Sequence, residues 1–243
     1  MVKRERADRV LVARGLFESR ARAQAAIAAG QVKADGNLVR KPSDQVSSAA
    51  AIVADPVHPY VSRGGVKLAA ALDSFSLDIA DQVCLDVGSS TGGFTEVLLA
   101  RGARHVFALD VGRGQLHARL RDCKQVTSIE QTDIRNLDPS RLFEAPDLAA
   151  IDVSFISLKL VLPHVGGLLK PSTTLLALVK PQFEAGRRHI KKGIVRDAVV
   201  QDAICDDIAR LLTDLGWLVG GRIPSPILGG DGNREFFIEV QRG

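Results

Sequence analysis

The feature that most constrains this chain is the run Val83-Cys84-Leu85-Asp86-Val87-Gly88-Ser89-Ser90-Thr91-Gly92-Gly93-Phe94-Thr95. An apolar segment ends in an acid, crosses a Gly/Ser/Thr loop and resumes apolar spacing at Phe94, Val97 and Leu98. That pattern predicts a buried strand, a tight loop and the start of a helix. Gly88, Gly92 and Gly93 let backbone approach a ligand closely, and the helix opening near Phe94 supplies unpaired N–H groups. A second apolar run, His105 to Leu109, ends in Asp110, 22 residues after Gly88, where nucleotide-binding folds place an acid against ribose hydroxyls. The glycines follow Gly-x-x-x-Gly-Gly rather than the Gly-x-Gly-x-x-Gly of dinucleotide enzymes, and no Gly-Lys-Ser/Thr follows to hold a triphosphate. A nucleoside not anchored by phosphates suits such a loop. S-adenosylmethionine is the candidate, cradled by Asp86, Gly88, Ser89, Gly92, Gly93, Phe94 and Asp110.

Further apolar runs follow at Val126 to Ile129, Leu148 to Phe155 and Leu175 to Val179, separated by helical patterns. Continuous apolar strands alternating with helices predict an α/β domain with a mostly parallel sheet covered on both faces. Ligands of such sheets sit outside the carboxyl ends of the strands, so Asp86, Asp110, Asp152 and Lys180 are expected along one edge. Asp133, after the third strand, is a candidate for contact with an adenine amino group. Helices are expected over 69–75, from 112 onward, over 157–169 and over 197–215, the last turning Val199, Ile204, Ile208, Leu211 and Leu212 inward. Residues 221–235 read as a Gly/Pro-rich loop before a final strand, Phe236 to Val240, while Lys67 alone reads as a surface residue. The basic loop from Arg187 to Gly193 reads either as a substrate contact or as a solvated segment.

The first 55 residues predict a smaller α+β unit: a helix over 5–16, a second capped by Ser19, a hairpin about Asp35-Gly36 and a short strand over 51–54. Asp55 to Val61, with two prolines, reads as a stiff linker. Residues 1–60 carry ten Lys and Arg against six Asp and Glu, which accounts for the whole net charge of +4. A positive face of this kind suits phosphate binding. No run approaches the roughly 18 apolar residues of a membrane span, and three scattered cysteines suggest neither disulfides nor zinc. A reducing cytoplasm is the expected location.

Gly15-Leu16-Phe17-Glu18-Ser19-Arg20-Ala21-Arg22-Ala23, with Ile27, Gly30, Val32, Asp35-Gly36 and Lys41-Pro42-Ser43, resembles the S4-type RNA-binding module. Arg4, Arg6, Arg20, Arg22, Lys33 and Arg40 are then the candidate phosphate contacts, since structured RNA is recognised mainly through backbone and shape. Together with Tyr60 to Leu68, Leu85 to Thr95, Asp152 to Leu158, Val179 to Glu184 and Gly232 to Glu235, the whole chain resembles the TlyA, or hemolysin A, family. The resemblance implies an RNA-binding domain over 1–55, a linker over 56–62 and an FtsJ/RrmJ-like, S-adenosylmethionine-dependent methyltransferase domain with a Rossmann-like fold over 63–243. It implies 2′-O-ribose methylation of cytidines in small- or large-subunit ribosomal RNA by a Lys-Asp-Lys-Glu tetrad, which carries over to Lys67, Asp152, Lys180 and Glu235. In that assignment Lys180 takes the hydroxyl proton, Asp152 orients it, and Lys67 and Glu235 position the ribose. No metal is called for. Gln131-Thr132-Asp133 departs from the Arg-Thr-Asn of many relatives. Two readings of other classes remain open on residues alone: a non-catalytic assembly factor that binds RNA, and a membrane-lytic protein.

Overall fold

The chain packs as two units, residues 1–59 and 60–243. The computed structural model describes residues 4–17, 19–54, 58–229 and 231–242, so Asp55, Pro56 and Val57 of the expected linker lie outside the described residues.

In the first unit β1 (Arg4–Arg6) runs directly into α1 (Ala7–Ala13), so the helix expected over 5–16 begins later and stops sooner. Its first residues are diverted into pairing with β4 (Gln45–Ser47), and strands of three residues are too short to announce themselves by alternation. Ser19 caps α2 (Arg20–Ala28) by accepting a hydrogen bond from the Arg22 amide. β2 (Val32–Ala34) and β3 (Asn37–Leu38) flank Asp35-Gly36, whose φ angles of +50° and +78° make the expected hairpin turn, and β5 (Ile52–Ala54) pairs along the other edge of β2. Val10, Leu11, Phe17, Ala26, Ile27 and Val32 form the core of this unit.

Asp8 is buried beneath that layer and accepts hydrogen bonds from Arg6 (3.0 Å), Arg20 (2.7 Å) and Gln24 (2.8 Å). The Arg6 guanidinium, aided by Arg20 and Gln24, outweighs burial and holds the Asp8 carboxyl well below the usual carboxylate range. Two of the candidate RNA contacts are therefore positioned by one acid that the sequence reading had not singled out. Arg4 donates to the Gln45 carbonyl, while Lys33 and Arg40 are exposed.

The second unit opens with α3 (Arg63–Ser74) and continues through β6 (Val83–Val87), α4 (Gly93–Ala100), β7 (His105–Leu109), α5 (Ala118–Arg121) and β8 (Val126–Ile129). β9 (Leu148–Ile151), α6 (Leu158–Val165), β10 (Thr173–Val179), α7 (Pro181–Glu184), α8 (Ala198–Asp214), β11 (Leu218–Pro224) and β12 (Phe236–Arg242) follow. The seven strands form one sheet in the order β11-β12-β10-β9-β6-β7-β8, parallel from β10 to β8 and antiparallel at β12 and β11. One face buries Leu85, Phe107, Ile151 and Leu175 against α6 and α8, and the other buries Cys84, Val106, Leu176 and Phe237 against α3 and α4.

Several expectations change in detail. α3 starts at Arg63 rather than Ala69, because Gly64 and Gly65 are packing residues here: a Cβ on Gly65 would collide with the Tyr60 ring. Lys67 thereby falls inside a helix and is buried, not a surface residue. Residues 112–116 form turns, with only α5 following. The expected loop at 221 is instead the end of β11, whose place at the sheet edge tolerates Gly220, Gly221 and Pro224. Val199 is 76% exposed because the first turn of α8 faces solvent; Ile204, Cys205, Ile208 and Leu212 form the buried stripe.

Phe237 is fully buried against Phe94, linking β12 to the helix that follows the glycine loop. Phe237→Ala is expected to destabilise this unit by about 3–5 kcal/mol in a urea titration, the range for removing a buried aromatic ring.

Candidate active site

β6 delivers Asp86 and Val87 to the loop, where Gly88 takes φ +88°. A Cβ there would stand 2.5 Å from the Asp152 carbonyl oxygen, so only glycine lets the loop lie against the end of β9. Gly92, at φ +96°, turns the chain into α4. Asp86 is completely buried under this loop, and its Oδ2 accepts from the Thr95 amide (2.9 Å) and hydroxyl (2.6 Å). Its Oδ1 is buried without a hydrogen-bond partner. Burial pushes the Asp86 carboxyl up to about 7, against the Thr95 hydrogen bonds and with help from the Asp152 and Asp110 charges.

Asp110, at the end of β7, accepts from the Ser90 amide (2.8 Å) and the Gly112 amide (2.6 Å). These two bonds draw the glycine loop and the next loop together, and each carboxylate oxygen keeps a further lone pair for a ligand hydroxyl. Between the loops lies a cavity of about 320 Å³. Gly88, Ser90, Asp110, Gln115, Asp133 and Asp152 supply its polar rim, and Leu109, Ile134, Val153, Ile156 and Val161 its apolar wall. Asp133 caps the short helical turn Ile134–Asn136 and pairs with Arg135 at 2.6 Å, which lowers its carboxyl and keeps it an acceptor. A second cavity of about 190 Å³ is lined by Ser62, Gly64, Ser89, Gly93, Phe94 and Lys180. Both cavities share Gly88, Ser90, Asp152 and Ser154. Of the expected cradle, Asp86 and Gly92 line neither cavity: one braces the loop from below and the other shapes it.

Lys180 Nζ, buried at the end of β10, lies 2.6 Å from Asp152 Oδ1, off the axis of a hydrogen bond, and donates to Ser154 Oγ at 2.7 Å. Lys67 Nζ, from α3, pairs with Glu235 Oε2 at 2.5 Å, both side chains being buried. The antiparallel register pairs Val179 with Phe236, so Lys180 and Glu235 stand at adjacent positions just past the paired strands. Two lysine–carboxylate pairs thus meet along one sheet edge, joined by the backbone that separates them.

Other residues of the site escaped the sequence reading. Ser154 holds Lys180. Glu130 accepts from the amides of Gly114, Gln115 and Leu116, fixing the loop that carries Gln115 into the larger cavity. Phe155 takes φ +64°, lines that cavity and is 92% exposed, with its ring 5.2 Å from that of Phe183. A Ser-Phe pair after a strand acid carries a signal only once the strand is known to stop at Ile151.

The family model for FtsJ-like methyltransferases matches residues 60–242, and that for the S4 domain matches residues 5–52. The chain belongs to the TlyA family of FtsJ-like methyltransferases. The 16S/23S rRNA (cytidine-2′-O)-methyltransferase TlyA of Mycobacterium tuberculosis is 44% identical over 241 residues, 98% of this chain and 90% of its own. Hemolysin A of Brachyspira hyodysenteriae is 37% identical over 233 residues, 95% of this chain and 97% of its own. A solved protein from Streptococcus thermophilus is 40% identical, covers 100% of this chain and 90% of that one, and superposes with a TM-score of 0.79. More distant methyltransferase structures, some holding S-adenosylhomocysteine, share the fold at 16–18% identity. Among the described residues no helix is long and apolar enough to cross a membrane.

The buried acid makes stability pH-dependent in a defined direction. An unfolded aspartate titrates near about 3.9, so between there and about 7 the folded state holds a proton that the unfolded state has released. Stability from this group therefore falls as pH rises through that window. Asp86→Asn, which still accepts from Thr95, is expected to lose less stability than the parent between pH 5 and pH 8 in denaturation without ligand.

Proposed function

We propose that this protein transfers a methyl group from S-adenosylmethionine to the 2′-hydroxyl of cytidines in ribosomal RNA. The observation that carries the reading is the pair Lys180–Asp152 at the seam of two adjoining cavities, with Lys67–Glu235 beside it. In this reading the larger cavity holds the cofactor: Asp110 takes the ribose hydroxyls, Asp133 the adenine amino group, and the apolar wall the adenine rings. Gly88 and Ser90, which line both cavities, suit a ligand that approaches backbone closely, and Asp86 braces their loop from below. When bound, S-adenosylmethionine supplies an electrophilic methyl group on a sulfonium centre.

The chain's own contribution is to place and deprotonate the hydroxyl. A ribose 2′-hydroxyl is a weak nucleophile until its proton is leaving, and Lys180 Nζ, entering the step as the neutral amine, receives that proton as the oxygen takes the methyl group. Asp152 and Ser154 hold Nζ in place from two sides, and Asp152 stabilises the ammonium that results. Lys67 and Glu235 neutralise each other and present a donor and an acceptor to the ribose. Phe155 offers its exposed ring at the cavity mouth to the nucleobase. Arg4, Arg6, Arg20, Arg22, Lys33 and Arg40 dock structured RNA from the first unit, which matches the S4 domain model.

Incubation with labelled S-adenosylmethionine and ribosomal subunits or naked rRNA, followed by nucleoside analysis, tests the reading. Label is expected in 2′-O-methylcytidine, and Lys180→Ala is expected to slow its appearance by about 10²–10⁴-fold, the range for a lost general base. Label in a methylated base, or no label while cofactor and RNA both bind, would refute it.

A further inference from the structure

The site described so far leaves aside a basic segment that follows Lys180 by seven residues. From Ala185 to Arg196 the chain holds Arg187, Arg188, His189, Lys191, Lys192 and Arg196 and no acid. Arg187, Arg188, Lys191, Lys192 and Arg196 are all exposed, and among the described residues none of them makes an ion pair. Arg188 donates only to the neighbouring His189 ring. Elsewhere on this unit exposed arginines do find carboxylates: Arg104 reaches Glu144, Arg119 reaches Glu96 and Arg222 reaches Asp202 and Asp206. Five adjacent cations without a counter-charge form a patch built for an anion that the chain itself does not contain.

The segment also has a defined shape. Lys191 and Ile194 exchange both backbone hydrogen bonds, at 3.0 and 3.1 Å, around Lys192 and Gly193. Those two central residues have φ +51° and +81°, so the tip is a tight primed turn that places a lysine in the left-handed region. The base of the turn hangs from Asn233, which is fully buried: its Oδ1 accepts from the Val195 amide at 3.0 Å and its Nδ2 donates to the Gly193 carbonyl at 2.9 Å. Gln201 of α8, also buried, donates to the Val195 carbonyl at 2.7 Å. Asn233 stands two residues before Glu235. The basic turn is therefore tied by chain to Lys180 and by buried hydrogen bonds to the strand entry that carries Glu235.

We propose that segment 187–196 is a preformed clamp for the sugar-phosphate backbone of the substrate RNA next to the nucleotide that is modified, with Asn233 as the residue that positions it. The inference rests on the reading of the site as an RNA methyltransferase and names a contact surface for that substrate within the second unit itself. Unpaired cations suit phosphates rather than a base-specific contact, so the clamp strengthens binding without selecting sequence.

The test is the salt dependence of equilibrium binding to purified rRNA, comparing the full chain with the variant R187Q/R188Q/K191Q/K192Q. Each lost phosphate contact removes about 0.7–0.9 from the slope of log affinity against log salt, so the variant is expected to be shallower by about 2 or more and to bind at least about tenfold more weakly near physiological salt. Its affinity for S-adenosylmethionine is expected to stay within about twofold, since none of the four residues lines either cavity. An unchanged slope would overturn the proposal. Gly193→Ala keeps every charge and strains the turn; it is expected to raise the Kd for rRNA several-fold in the same titration with the salt slope retained, and an unchanged Kd would overturn the preformed geometry. Because the titration measures binding, it reads the clamp even if no methyl transfer is detected, so failure of the proposed chemistry and failure of the clamp are separate results.

Discussion

Everything at the candidate site depends on one antiparallel pairing. β12 inserts beside β10 with Val179 opposite Phe236, and this register sets Lys180 beside Glu235 although 54 residues separate them in the chain. The five parallel strands from β10 to β8 bring charged residues, Lys180, Asp152 and Asp110 among them, to the carboxyl ends where such a sheet binds its ligands. A sixth parallel strand in that place would have presented its own carboxyl end to the site. The reversed strand presents its entry instead, so Glu235 arrives from a loop that also carries Asn233. α3 then completes the arrangement by sending Lys67 across to Glu235.

Around that edge the fold holds ionisable groups where burial disfavours their charged forms. Asp86, Asp152, Glu235, Lys67 and Lys180 all lie within the sheet's carboxyl rim, and each lysine is matched to an acid within 2.6 Å. Pairing and hydrogen bonding offset desolvation in these cases, whereas Asp86 has two bonds on one oxygen and none on the other. Backbone irregularity gathers at the same place: Gly88, Ser90, Gly92 and Phe155 all have positive φ. Such conformations persist only where surrounding structure over-determines them, and here the loops are pinned by Asp110 and Glu130 accepting backbone amides.

Much of this was legible in the sequence, for physical reasons that can be named. Strands β6, β7 and β10 are buried on both faces and so appear as nearly uninterrupted apolar runs, and the charged residues at their ends, Asp86, Asp110 and Lys180, mark the ligand edge. The Asp35-Gly36 turn and the Ser19 cap are local chemistry and need no tertiary context. What stayed hidden depends on distant partners. Gly64 and Gly65 look like helix breakers until the Phe94 ring is seen against the first and the Tyr60 ring against the second, which is why apolar spacing alone starts α3 too late and leaves Lys67 reading as a surface residue. β11 escaped notice because an edge strand tolerates the glycines and proline that otherwise signal a loop. Asp8, Ser154 and Glu130 are ordinary polar residues in the sequence, and only three-dimensional contact shows what each one holds.

The central claim is that the two lysine–carboxylate pairs act as one unit on one hydroxyl. Single-turnover methyl transfer to rRNA by Lys67→Ala, Lys180→Ala and the double variant tests it most directly. A unit loses most of its effect with either member, so the double variant is predicted to react about as slowly as the slower single variant. Two rate losses that multiply in the double variant would contradict the account, because the pairs would then contribute independently.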